Sequence, residues 1–339
     1  MRTSRRYATS SARRPTIGQA YWVSQTPERL MILDAPSLYF RAFFGVPIAT
    51  VAADGTPVNA LKGLLDFIAH LVNARRPTHL VACLDADWRP AWRMAAVPSY
   101  KTHRLATETQ TEEVVPDDLE RQVPLICAVL DALGVAWVGV PGYEADDVIA
   151  TLAARDTRPV DVVSGDRDMF QVVDDARQVR VLYVARGVAR HAVVDEAWIA
   201  GKYGIPGRAY AELALLRGDP SDGLPGAVGI GEKTAAALIS RYGTVAEVLV
   251  AAEDPASDMR ADLRRKLLAS AEYLVRADPV VRVATDIPVP ELDDRIHATP
   301  PDPAVFVRVV DGLGLDVSLN RVLAAFAAAA ARSPGILPR

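Results

Sequence analysis

The hydrophobic positions of this chain fall into short unbroken runs, separated by longer segments whose apolar residues recur at helical spacing. Leu30-Met31-Ile32-Leu33 and His79-Leu80-Val81-Ala82-Cys83-Leu84 read as buried strands, followed at once by Asp34 and Asp85. Similar runs at 135–138, 159–163 and 179–184 predict three more strands. Between them lie predicted helices at 37–44, 58–74, 119–133, 145–154 and 168–173. The second of these puts Leu61, Leu64, Leu65, Ile68 and Leu71 on one face, and the third is opened by Pro116-Asp117-Asp118 and stopped by Gly134. Strands alternating with helices predict an α/β protein, with a mostly parallel central sheet flanked by helices. From about residue 194 the pattern turns helical. The expected organisation is an α/β core over 30–193, an α-rich region over 194–332 and a short tail over 333–339. Residues 1–29 carry no sustained period and read as a disordered basic tail.

In sheets of this kind, sites form beyond the carboxyl ends of the strands. Asp34 and Asp85 directly follow strands, and Asp166 follows one after the turn Ser164-Gly165. Glu144, Asp146 and Asp147 open a helix that follows a strand. Helix capping accounts for any one of these groups, since carboxylates satisfy free N–H groups and suit the dipole. It does not account for their repetition at one predicted edge. Asp168 and the later pair Asp219 and Asp222 bring the set to nine. Spacing of three puts that pair on one face if its segment is helical, and Pro220 suits a first turn. Gathered carboxylates call for hard divalent cations, Mg²⁺ or Mn²⁺. Two or more such ions point to phosphoryl-transfer chemistry.

The loop between Asp85 and Leu119 is long for a compact domain. It carries Trp88-Arg89-Pro90-Ala91-Trp92-Arg93 and Tyr100-Lys101-Thr102-His103-Arg104. Lys101 and Arg104 are spaced to share a helix face and to neutralise a scissile phosphate, while Tyr100 is placed to stack on a base. His103 between them reads as a surface residue. Gly226-Ala227-Val228-Gly229-Ile230-Gly231-Glu232-Lys233-Thr234 has P-loop glycine spacing, but Glu232 stands where Lys is required and no strand precedes it. It reads instead as a glycine turn followed by a helix over 233–241. Gly229, Gly231, Lys233 and Thr234 would then grip a nucleic-acid backbone.

Composition changes this picture little. Half of the 339 residues are apolar, enough for one large domain or two smaller ones. Cys83 and Cys127 both sit in apolar runs and read as buried small hydrophobes in a reducing cytoplasm. No apolar stretch is long enough to span a bilayer. The net charge of −4 does not advertise nucleic-acid binding, and the clearest local excess of basic residues is six Arg against Glu28 in residues 1–29. Binding to DNA therefore rests on local pattern.

The ordered set of motifs resembles the 5′ nuclease family, which includes flap endonucleases and the N-terminal exonuclease domain of bacterial DNA polymerase I. The matching stretches are Leu33-Asp34, Asp85, Tyr100-Lys101-Thr102-His103-Arg104, Gly142-Tyr143-Glu144-Ala145-Asp146-Asp147, Ser164-Gly165-Asp166-Arg167-Asp168, Gly218-Asp219-Pro220-Ser221-Asp222-Gly223-Leu224-Pro225-Gly226 and Gly229-Ile230-Gly231-Glu232-Lys233-Thr234. The resemblance implies a PIN-like core with a helical arch over about 88–116 and a helix–hairpin–helix over about 219–243. It implies that all nine carboxylates are metal-site acids, with Asp146, Asp147 and Asp168 ranked ahead of Asp34 and Asp85 as direct ligands. Lys101 and Arg104 would stand at the foot of the arch, and a K⁺ ion at the hairpin. The implied activity is 5′→3′ exonuclease and flap endonuclease action on flapped, nicked or 5′-ended DNA in primer removal and repair. The implied form is a stand-alone monomer, since no polymerase region follows. Ala35-Pro36-Ser37, Arg167 and Gly223 depart from the usual family residues, but none of them removes a carboxylate. Two rivals remain at this stage, a PIN-type metal-dependent ribonuclease and a non-catalytic DNA-junction binder.

Overall fold

The computed structural model describes residues 28–105 and 113–332. Residues 1–27, 106–112 and 333–339 lie outside the described residues, and with them most of the expected basic tail, part of the expected arch and the C-terminal tail. Six strands form one sheet: β1 (Leu30–Asp34), β2 (His79–Cys83), β3 (Ala136–Val138), β4 (Val160–Ser164), β5 (Val179–Tyr183) and β6 (Ala192–Val194). Their order is β3-β2-β1-β4-β5-β6. The first five run parallel and β6 pairs antiparallel at the edge. The sequence did not disclose β6, an edge strand of which only Val194 is buried.

The register explains the continuous apolar runs. Ile32 lies between Val81 and Val162 on one face, while Met31 and Leu33 point to the other. Both faces are covered, so the middles of the strands are apolar, and His79, Asp161 and Arg180 sit at or next to their amino ends. On the second face lie α1 (Ala35–Gly45), α2 (Asn59–Arg75) and α5 (Gln122–Leu133). The predicted helix over 119–133 is divided at Arg121, with a single turn α4 (Asp117–Glu120) before α5. The four leucines and the isoleucine predicted on one face of α2 are each at most 1% exposed. In the expected arch, the described residues form only α3 (Ala91–Ala96) and a 3₁₀ turn, Thr102–Arg104, with Leu105 and Glu113 paired across its base.

The first face carries α6 (Ala145–Arg155) and the helices that follow β6. These are α7 (Glu196–Tyr203), α8 (Tyr210–Arg217), α9 (Glu232–Tyr242), α10 (Val245–Glu253) and α11 (Ala261–Val281). The chain then returns: Leu80 donates its N–H to the Asp294 carbonyl, and Arg295 pairs with His79. Of the last two helices, α12 (Pro303–Val310) and α13 (Asp316–Ala330), α13 lays Val322, Ala325, Phe326 and Ala329 against the core beside α2. The α-rich region expected over 194–332 therefore does not stay apart; its last part completes the α/β core. Cys83 is buried as expected, whereas Cys127 is only half-buried.

Arg29 belongs to the body rather than to a tail. At the amino ends of the strands, Asp161 is fully buried and meets three guanidiniums: Arg29 at 3.2 Å, Arg75 at 3.2 Å and Arg180 at 3.3 Å. Removing one partner of a buried ionic cluster leaves uncompensated charge. Asp161→Asn is therefore expected to lower the unfolding free energy by about 3 kcal/mol in urea denaturation, while folded protein keeps its activity, because the cluster lies at the opposite end of the strands from the nine acids.

Candidate active site

The carboxyl ends of the strands hold the site. Asp34 ends β1, is 4% exposed, and accepts hydrogen bonds from the Ser37 amide at 3.1 Å and the Ser164 hydroxyl at 2.5 Å. It is both the cap of α1 and a member of the site. Asp85 follows β2 and accepts from the Ala145 amide at 2.7 Å, at the amino end of α6. Glu144 caps α6, and Asp146 lies half-buried in its first turn. Asp166 follows β4 and accepts from the Asp168 amide at 2.9 Å. An open cleft of about 800 Å³ is lined by Asp34, Asp85, Glu144, Asp146 and Asp166, together with Lys101 and Arg104. Asp168, Asp219 and Asp222 lie beyond Asp166 as a distal group that repels it and one another. Asp219 and Asp222 do not share a helical face as the spacing suggested. They flank a 3₁₀ turn, Pro220–Asp222, in which Asp219 accepts from the Ser221 amide at 2.8 Å and from the Ser221 hydroxyl.

Burial and mutual repulsion decide the protonation of these groups. Burial, with repulsion from Asp166 and Asp85, pushes Asp34 up to about 7 against the pull of its two donors. Burial, with Asp34, Asp166 and Glu144 nearby, drives Asp146 well above the carboxylate range. Burial and the other distal acids do the same to Asp168. Glu144 is raised by burial although Lys101 and Arg93 oppose the shift. The Asp168 Oδ1 is buried without a hydrogen-bond partner. Among the described residues no three of these acids close into a ready-made ligand cage. The donor set nonetheless fits hard divalent ions: it is all oxygen, crowded, and includes an acceptor the fold leaves unmet.

Two expected residues are placed differently. Asp147 is fully buried, does not line the cleft, and serves structure. Its two oxygens accept from the Arg93 guanidinium at 2.9 and 2.8 Å, from the Ala284 amide at 2.8 Å and from the Glu144 amide at 3.3 Å. With its lone pairs so occupied, it is removed from the ligand set in which it had ranked first. Tyr100 is 3% exposed, and its hydroxyl donates to Glu144 at 2.8 Å, so its ring has no face for a base. Arg93 was missed by the sequence reading: it sits in α3, far in sequence from Asp147, and also reaches Glu144 at 3.0 Å. Glu113, Arg41, Phe40 and Phe44 also line the cleft, and only a fold reveals that.

Both expected cations are anchored to acids. Lys101 is nearly buried, donates to Glu144 and to the Trp88 carbonyl, and holds a left-handed backbone with φ of 51°. Lys101 and Arg104 do not share a helix face: Lys101 only caps the 3₁₀ turn that ends at Arg104. Arg104 reaches Asp222 and the Ser221 carbonyl, both at 2.8 Å. His103 is exposed, as expected. The backbone locks the two segments together: the Lys101 amide donates to the Asp222 carbonyl at 2.9 Å, and the Ser99 hydroxyl to the Gly223 carbonyl at 2.8 Å. This explains Gly223. Its φ is positive, and a Cβ there would collide with the Ser99 carbonyl oxygen.

The glycine turn follows directly. The Ala227 amide donates to the Leu216 carbonyl at 2.9 Å, which closes the segment between the distal acids and α9. Gly229 has a positive φ, and Gly231 caps α9 without a side-chain acceptor. Gly229, Gly231, Lys233 and Thr234 are exposed around that helix start.

Comparison with known proteins agrees with this architecture. A family model described as the 5′-3′ exonuclease N-terminal resolvase-like domain matches residues 29–204, and one described as the 5′-3′ exonuclease C-terminal SAM fold matches 205–304. A 5′-3′ exonuclease of Streptomyces coelicolor is 56% identical over 296 residues, covering 86% of this chain and 98% of the relative. One from Mycobacterium tuberculosis is 49% identical over 306 residues, covering 86% and 96%. The crystal structure of a bacteriophage T5 flap endonuclease, in a complex with DNA and metal ions, superposes with a TM-score of 0.57 at 18% identity, covering 88% of this chain and 99% of that one. By its sequence and by both matched regions, the chain belongs to the 5′-3′ exonuclease family.

Proposed function

We propose that the cleft is the active site of a divalent-metal-dependent, structure-specific 5′ nuclease that hydrolyses DNA phosphodiesters at flaps, nicks and 5′ ends. The observation that carries the reading is the meeting of Asp34, Asp85, Glu144, Asp146 and Asp166 with Lys101 and Arg104 in one cleft. Asp34, Asp146 and Asp166 would hold one ion, and Asp168, Asp219 and Asp222 a second, with Mg²⁺ or Mn²⁺ suited to the all-oxygen donors. Asp85 and Glu144, tied to the amino end of α6 and to Lys101, would orient them. When bound, such ions supply Lewis acidity and lower the pKa of a coordinated water.

The rest is performed by the chain itself. Lys101 and Arg104 place positive charge where a scissile phosphate gains negative charge. The uncapped amide groups at the start of α9, with Lys233 and Thr234, would grip a duplex backbone without reading its sequence. A K⁺ ion between that turn and a phosphate would serve the same grip. Phe40 and Phe44 give the cleft an apolar wall for bases or sugars. Against a PIN-type ribonuclease stand the Asp219–Asp222 turn and the helical hairpin joined to it. Against a non-catalytic junction binder stands the full set of cleft acids. The reading includes a cytoplasmic protein that acts as a monomer in primer removal and repair. No single helix among the described residues is long and apolar enough to cross a membrane.

On a 5′-labelled flapped duplex with Mn²⁺, the protein is expected to cut near the junction, and Asp146→Asn with Asp166→Asn to lower turnover by about 100-fold or more while duplex binding persists. Absence of cleavage by the wild type, or wild-type turnover in the double variant, would sink the reading. The two neighbouring acids of α6 are expected to separate. Asp147→Asn lowers stability by about 3 kcal/mol yet leaves Mn²⁺ affinity unchanged, whereas Asp146→Asn does the reverse, as chemical denaturation and calorimetric titration will show. The raised Asp34 destabilises the ion-free fold as pH rises above its unfolded value of about 3.9, a cost complete once pH exceeds the folded value. Ion binding must deprotonate it. Near about pH 6.5, the Mn²⁺ binding enthalpy should therefore vary with the ionisation heat of the buffer, and a buffer-independent enthalpy would contradict the assignment.

A further inference from the structure

Three buried polar atoms near the distal acids lack a hydrogen-bond partner: the Asp168 Oδ1, the Arg217 Nη2 and the Tyr210 hydroxyl, whose ring lies 5.9 Å from the Arg217 guanidinium. Arg217 is the last residue of α8, and its side chain is 12% exposed. Its Nε donates to the Gly218 carbonyl at 3.1 Å, and its Nη1 to Glu232 at 3.2 Å. The Nη2 stands 3.8 Å from Asp219 Oδ2, close enough for attraction but too far for a hydrogen bond. Glu232 is the first residue of α9, so Arg217 stands between Asp219 and the start of the backbone-gripping helix. A guanidinium cannot shed its proton, so this charge is permanent.

We propose that Arg217 is a positioning residue: a fixed counter-charge that tempers the hold of Asp219 on a divalent ion and ties the distal acids to the start of α9. The inference rests on the reading of the distal acids as ion ligands. An ion arriving there shares its carboxylates with the guanidinium, which is itself drawn the other way by Glu232. The charge keeps the distal acids together before an ion binds, and keeps the bound ion loosely held. Arg104 pairs with Asp222, so two arginines attend the distal group. Arg217 is set by the fold, because the Gly218 and Gly226 backbones pass so closely that a Cβ on either would strike the other strand.

The test is calorimetric titration of the full chain with Mn²⁺ alone. Arg217→Gln should tighten the weaker class of sites about tenfold, the scale of one pK unit of charge interaction. Arg217→Lys, which keeps the charge, should restore wild-type affinity. Glu232→Gln should move affinity the other way, since the guanidinium is then left entirely to the acids. Equal Mn²⁺ affinities in folded wild type and Arg217→Gln overturn the proposal, as does a lysine variant that behaves like the glutamine one. Should Arg217→Gln fail to fold, Glu232→Gln decides alone, and an unchanged or tighter weak class overturns it. A wild type that binds no Mn²⁺ at all removes the ion reading itself and the role of Arg217 with it.

Discussion

Carboxylates gathered at one sheet edge repel one another, and two of them about 4 Å apart cost roughly 4 kcal/mol at the effective dielectric near a protein surface. Hydrophobic burial beneath the edge must outweigh that repulsion, and every polar group nearby is arranged around it. Asp34 is steadied by Ser37 and Ser164, Asp85 by the first amide of α6, and Glu144 by Lys101, Tyr100 and Arg93. Asp146 and Asp168 form no ion pair among the described residues, and these are the acids driven furthest from their ordinary protonation. The strain left in the site is concentrated where a divalent ion would relieve it.

A doubly covered parallel sheet suits this arrangement. Strands buried on both faces have apolar side chains throughout, so polar residues are pushed to their ends. Asp161 shows what happens when one is not: a single buried carboxylate at the amino ends recruits three arginines. At the carboxyl ends, the same need is met by amide groups at the starts of α1 and α6 and by two cations lent from the long loop. The loop and the distal turn are then joined through Lys101, Ser99, Asp222 and Gly223, so cations and acids are carried by one connected piece of backbone.

Local pattern disclosed five of the six strands, the main helices of the α/β core and the edge at which the acids meet, because period and strand-end position are local properties. What it missed is held by contacts distant in sequence. Asp147 looks like Asp146 along the chain, and only Arg93 in α3 and the Ala284 amide identify it as a structural acid. Tyr100 looks like an exposed aromatic in a basic loop, yet its ring is buried and its hydroxyl spent on Glu144. The return of α13 to the core beside α2 left no mark in local composition, since its alanine-rich face would suit any helix partner. Gly223 is the converse case. A departure from the family residue in sequence becomes a requirement of the close approach of Ser99.

The division of labour among the acids follows from what each already holds. A carboxylate has about four lone-pair sites, and Asp147 spends all of them on protein donors. Glu144 spends most of its capacity on Tyr100, Lys101 and Arg93, so it acts chiefly by fixing Lys101. Lys101 has three donors, of which Glu144 and the Trp88 carbonyl take two, leaving one for a phosphate oxygen. Its left-handed backbone is an unfavourable conformation, held in place by the hydrogen bond that its own amide donates to the Asp222 carbonyl. The cation is therefore positioned by the same turn that presents the distal acids, and a shift in either is transmitted to the other. Charge balance in this cleft is thus set by backbone contacts between two loops, and the acids with unspent lone pairs are the ones left to meet an ion.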